Sequence, residues 1–195
     1  MSHAIARSWT ADEFFAWQER QPERYELVGG QPVRLMTGVR SGHDIIVVNL
    51  VGELRQQLRG SGCRPFTGEW GIETIPGQIR RPDVGADCGP FTPQAFTASA
   101  PRLVVDVLSP STRDFDTFGK VEEYKRVDAI DYILLVEPNA PEVVLWSRGE
   151  DRGWAPRTVE GRDATVPLPA LGIELAMAEI YEGVEFPVAP RLVLG

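Results

Sequence analysis

Hydrophobic positions recur along this chain with two periods, and the switches between them outline its elements. From about 42 to 59 they fall at Val47, Leu50, Val51, Leu54 and Leu58, spacings of i, i+3, i+4, i+7 and i+11. That is one face of a helix, and Gly60 is a natural stop for it. Upstream, Thr10-Ala11-Asp12-Glu13 has the form of a capping box, and Phe14, Phe15 and Trp17 supply the apolar surface of a short helix through about Glu19, ended by Pro22. Tyr25–Val28 and Gln31–Met36 flank Gly29-Gly30 and predict a hairpin, with Pro32 placing its second strand at a sheet edge. Strands are expected around 64–74 and 79–86, and again at 132–136 and 143–147 with Pro138–Pro141 as their turn. A helix is expected over roughly 114–126, and a short amphipathic piece near 176–181.

Leu103-Val104-Val105-Asp106-Val107-Leu108 reads as a strand buried on both faces, because short β-branched apolar runs between turn signals are core strands. Asp106 breaks that pattern. A carboxylate in such a place is costly unless it is paired or bound to a metal. Helices at both ends of a strand-rich middle predict an α/β fold, a mixed sheet flanked by helices in a single domain over 1–195. Its core spans about 10–182, with a tail from about 185.

Composition narrows the class. At 195 residues, one domain has room for a sizeable core, and 43% hydrophobic with 25% charged residues is ordinary for a soluble protein. No apolar stretch is long enough to span a bilayer, so no membrane partner is expected. Met1–Arg7 lacks a signal-peptide core, which makes a cytoplasmic location the default expectation. A net charge of −8 argues against a surface that coats nucleic acid. It leaves open a metal-dependent nuclease, whose own site is acidic. Cys63 and Cys88 are expected as reduced thiols.

Three segments place acids where apolar or turn residues would serve: Arg81-Pro82-Asp83-Val84, Val105-Asp106-Val107, and the following helix, where Asp116, Lys120 and Tyr124 recur at i, i+4 and i+8 on one face. Two carboxylates from neighbouring strands can hold Mg²⁺ or Mn²⁺ through oxygen ligands, with the Val107 carbonyl as a further ligand. A lysine beside them would orient the attacking water or neutralise charge on phosphorus. Glu26 is either a further acid at this edge or a strand-face charge. His43 either caps its helix or contacts phosphate, Arg81 and Arg113 either hold phosphate oxygens or serve as the counter-ion of Asp106, and Tyr124 is a further candidate for substrate contact. Taken singly, each acid also has an ordinary structural role open to it.

Together these segments resemble the Uma-type restriction endonucleases, a branch of the PD-(D/E)XK nuclease superfamily. The likeness lies in Tyr25–Gly30, His43, Arg81–Val84, Leu103–Arg113, Asp116, Lys120, Tyr124, Tyr132–Val136 and the segments Leu171–Ile173 and Ile180-Tyr181. The resemblance implies a restriction-endonuclease-like core, a divalent cation and hydrolysis of phosphodiester bonds in DNA, with homodimerisation expected. It implies Asp83 and Asp106 as the paired acids, Lys120 in place of the lysine that the superfamily sets two residues after the second acid (Leu108 here), and Glu26 at the metal edge. Asp106 stands where this branch usually has Glu, so its carboxylate is retracted by one methylene. A nuclease-fold binding module and a hydrolase of other phosphate esters are the competing readings. No DNA-reading module such as a basic recognition helix is recognisable.

Overall fold

The computed structural model describes residues 7–35, 41–109 and 115–186. Its first half alternates helix and hairpin: α1 (Ala11–Gln18), β1 (Tyr25–Val28), β2 (Gln31–Arg34), α2 (Ser41–Gln57), then β3 (Arg64–Thr67), β4 (Ile72–Ile75), β5 (Gln78–Arg80) and β6 (Val84–Asp87). After β7 (Pro101–Val107), a π-helical turn over Phe115–Lys120 runs into α3 (Val121–Tyr124). Then follow β8 (Tyr132–Glu137), β9 (Glu142–Arg148), β10 (Trp154–Glu160), β11 (Thr165–Leu168), β12 (Ile173–Ala176) and α4 (Met177–Ile180).

Six strands form the main sheet in the order β10-β9-β8-β7-β6-β3, with β7 and β8 parallel and the other neighbours antiparallel. Four more form a second sheet, β2-β1-β5-β4, and β11 pairs with β12. The mixed α/β architecture expected from the sequence is therefore present. A parallel pair needs a crossover, and α3 lies on the one joining β7 to β8.

Alternation along β7 decides which side each residue serves. Leu103, Val105 and Val107 join the core beneath Ile46, Leu50, Leu54 and Leu58 of α2. Val104 and Leu108 join the cluster on the opposite face, with Val121 and Tyr124 of the α3 side. Each fully buried Leu or Ile of α2 contributes roughly 1.5–3 kcal/mol of transfer free energy, which is what holds the helix on the sheet. Asp106 has the parity of Val104 and so points to the α3 side. Phe14, Phe15, Leu27 and Ile79 form a third cluster between α1 and the smaller sheet.

The structure corrects several expectations. The run 64–74 is two strands, because the chain turns after Thr67 (Trp70 N–H to Thr67 C=O, 3.0 Å) and Gly71 bridges to Thr97. The run 79–86 is also split, at Arg81-Pro82-Asp83, where proline has no N–H for a ladder. The helix expected over 114–126 is π-helical as far as Lys120 and α-helical for only one turn beyond it. The capping box and the Gly29-Gly30 hairpin are as expected, with β2 and its Pro32 at a sheet edge. Strand β10 had no period-2 signal to betray it, since most of its residues are exposed.

Cys63 and Cys88 are not free thiols but a disulfide. The cause is register. β3 and β6 pair Arg64 with Asp87, so the next antiparallel step sets 63 opposite 88. The ordered fold also reaches past the expected start of a tail, because Phe186 packs on Tyr181 with ring centroids 5.4 Å apart.

On β6, Gly85 faces Phe66 across the ladder, and a Cβ there would overlap the Phe66 ring. Gly85→Ala is expected to cost about 1–3 kcal/mol through overpacking, read as a lowered midpoint in urea with an unchanged m-value.

Candidate active site

Two strand ends meet where the sequence placed its acids. β6 and β7 pair Val84 with Val105, and one further step of that register sets Asp83 opposite Asp106. Asp83 lies just outside the ladder, after Pro82. Its Oδ2 accepts the Val107 amide at 2.8 Å and stands 3.3 Å from His43 Nε2, at the start of α2. Its side chain is 32% exposed, against 3% for Asp106. Asp83 is thus the acid a solvent-borne ligand meets first, and Asp106 the one buried behind it.

Asp106 has Lys120 for a counter-ion, with Nζ 3.6 Å from Oδ1. The same ammonium lies 3.6 Å from Glu26 Oε1. The helix after β7 therefore does turn its lysine back over the strand. Glu26 on β1 is almost fully buried; its Oε1 accepts the Arg81 amide at 2.9 Å, and its Oε2 lies 3.1 Å from Arg80 Nη1. Arg80 also grips Glu123 through Nε and Nη2, both at 2.6 Å, and Thr74 Oγ1 donates to Glu123 at 3.1 Å.

Arg81 and Tyr124 are placed otherwise than the sequence implied. The Arg81 guanidinium turns to the carbonyls of Tyr25, Gly68 and Glu69, which ties the smaller sheet to the turn after β3. It is not the counter-ion of Asp106 and does not reach outward for phosphate. Tyr124 is fully buried against Val104, Ile133 and Leu135 and packs the helix rather than lining a surface. Arg113, Asp114 and the side chain of Asp116 lie outside the described residues. Sequence reasoning passed over Arg80, Glu123 and Thr74. The recoverable signal was Glu123 at i+3 from Lys120, which puts both on one side of the helix.

The donors that Asp83 and Asp106 offer are hard carboxylate oxygens, to which the Val107 carbonyl would add a third. That chemistry fits Mg²⁺, which takes one or two carboxylates and completes its octahedron with waters and substrate phosphate. Among the described residues no group of three or more His, Cys, Asp or Glu side chains converges.

Burial pulls the His43 pKa down, but the hydrogen bond and charge of Asp83, helped by the Val107 main chain and Asp44, outweigh it and leave the value raised above 6.5. Since the folded value is the higher one, the pair stabilises the fold fully below pH 6.5, and that stabilisation is lost as pH climbs through the raised value. The chain has two histidines, so proton NMR resolves His43 readily. In metal-free buffer its midpoint is expected above that of an unfolded-peptide histidine, and below it in Asp83→Asn. An unchanged midpoint in that variant would show that Asp83 is not what holds the proton.

With the geometry in place, comparison with known proteins becomes informative. The model of the family described as "Uma2: Putative restriction endonuclease" matches residues 11–178. An uncharacterized protein of Synechocystis, slr1290, is 30% identical over 177 residues, covering 90% of this chain and 92% of that protein. A second, sll1609, is 23% identical over 171 residues, covering 84% and 94%. The crystal structure of a "putative nuclease belonging to DUF820" from Anabaena variabilis matches with a TM-score of 0.69 at 18% identity, covering 88% of this chain and 97% of that one; this is a likeness of fold. The extent of the family match settles membership: the chain belongs to the Uma2 restriction endonuclease family.

Proposed function

We propose that this protein is a metal-dependent endonuclease that hydrolyses phosphodiester bonds in DNA at the site formed by Asp83, Asp106 and Lys120. The observation that carries the reading is Lys120 Nζ, 3.6 Å from both Asp106 and Glu26, beside a strand end where Asp83 is partly open to solvent. Family membership supports the same reaction class.

Asp83, Asp106 and the Val107 carbonyl would hold Mg²⁺ or Mn²⁺. When bound, the ion supplies Lewis-acid stabilisation of charge on a phosphoryl oxygen and eases ionisation of a water. The chain's own residues do the rest. The Val107 amide fixes the rotamer of Asp83 and leaves its other oxygen for a ligand. Lys120 pairs with Asp106 in a buried place and brings a positive charge to where the phosphorane charge develops. His43, beside Asp83, is placed to exchange a proton with a bound water or a leaving oxygen. Water adds to phosphorus, the P–O bond to the leaving sugar oxygen breaks, and that oxygen takes up a proton. A homodimer would bring two such sites to the two strands of a duplex.

One observation favours a second reading. Asp83 already has the Val107 amide and His43, and Asp106 already has Lys120 as a counter-ion, so each acid has a partner within the chain itself. A nuclease-fold binding module would need nothing more.

Plasmid cleavage with Mg²⁺ or Mn²⁺ separates the two. Asp106→Ala and Lys120→Ala are each expected to lower the rate by about a hundredfold or more. Cleavage by both variants at the wild-type rate would sink the proposed site. Calorimetric titration with Mn²⁺ is expected to show binding that Asp83→Asn weakens, and a folded wild type that binds no Mn²⁺ would favour the binding module.

A further inference from the structure

We propose that Arg80 is a positioning residue for Lys120: its guanidinium fastens Glu26 and the lysine-bearing helix to one buried point, which sets the ammonium against Asp106. The consequence for cleavage rests on the nuclease reading above, while the placement itself does not.

The helix that carries Lys120 cannot hold itself. Its described part is a π-helical stretch followed by four α-helical residues, short of the roughly 12–15 residues at which a helix persists by its own hydrogen bonds. Val121 and Tyr124 anchor it to the main sheet, but apolar burial is non-directional and fixes depth better than rotation. Rotation is what aims Lys120. Glu123, on the same side of the helix, supplies the missing direction. The Arg80 fork binds both its oxygens at 2.6 Å, and this planar two-point contact admits little rotation. Thr74 adds a third bond at 3.1 Å.

Arg80 acts on Lys120 by a second route. Its Nη1 occupies Glu26 Oε2 at 3.1 Å, so Oε1 is the oxygen turned to the Arg81 amide and to Lys120. Glu26, Arg80 and Thr74 come from β1, β5 and β4, consecutive strands of the smaller sheet. That sheet thereby forms a socket for a helix that otherwise belongs to the main sheet. Arg80 is itself only 1% exposed and so acts through the two carboxylates.

The sequence makes this measurable, because Lys120 and Lys125 are its only lysines. Lys125 is an internal control, held by Glu122 at 2.7 Å and seated 3.6 Å over the Trp146 ring. Acylation at fixed pH with an N-hydroxysuccinimide ester, read by peptide mass spectrometry, reports both amines. Arg80→Lys keeps the charge and loses the fork; Lys120 acylation is expected to rise about tenfold with Lys125 unchanged, and the melting temperature to fall while the protein stays folded at the assay temperature. Glu123→Gln, nearly isosteric, is expected to raise Lys120 in the same way and serves if Arg80→Lys does not fold. With DNA and Mn²⁺, the folded variants are expected to lose kcat about tenfold at constant KM. Wild-type acylation of Lys120 in a folded variant overturns the proposal, as does a rise shared by Lys125. A rise confined to Lys120 in a protein that never cleaves DNA upholds the role of Arg80 and removes the nuclease reading.

Discussion

A carboxylate and an ammonium buried together govern much of this structure. Asp106 sits near the end of an interior strand of the six-stranded sheet, and Lys120 is a counter-ion 3.6 Å away. At an effective dielectric of about 20, such a pair attracts by roughly 4–5 kcal/mol. Removing each ion from water costs several kcal/mol, so the pair alone comes out near even. It persists because further groups share the charge. Glu26 faces the same ammonium, Arg80 joins Glu26 to Glu123, and Thr74 completes Glu123. The smaller sheet, which apolar packing alone would place against α1, is thereby drawn to the helix beside β7.

Two faces of one strand divide the labour of folding and chemistry. The α2 face of β7 is aliphatic throughout and carries the main core. The α3 face gives up one aliphatic position for Asp106 and takes a short, irregular helix in return. That helix depends on ion pairs, and the same ion pairs prepare the site.

Much of this was legible before any coordinates. Asp106 announced itself as an acid in an apolar run, and Lys120 by its place in the next helix. The Gly29-Gly30 hairpin, the capping box and the α2 stripe followed from local rules that tertiary contacts did not override. What stayed hidden depended on partners distant in sequence. Nothing local tells Arg80 apart from Arg81, yet one grips two carboxylates and the other three carbonyls. The pairing of Cys63 with Cys88 follows only once β3 is known to lie against β6. Strand β10 lacked a buried face to give it a period.

The Cys63–Cys88 bond gains meaning from the other end of its strand. β6 is four residues long, with Cys88 just after it and Asp83 just before it. In a strand this short, sliding by one residue would carry every side chain to the opposite face. Asp83 would then turn away from Asp106, and Gly85 would no longer lie under the Phe66 ring. A covalent tie to the neighbouring strand forbids that slip. The disulfide works as a ratchet stop for β6, and the acid at the far end keeps its heading because the cysteine at the near end cannot move.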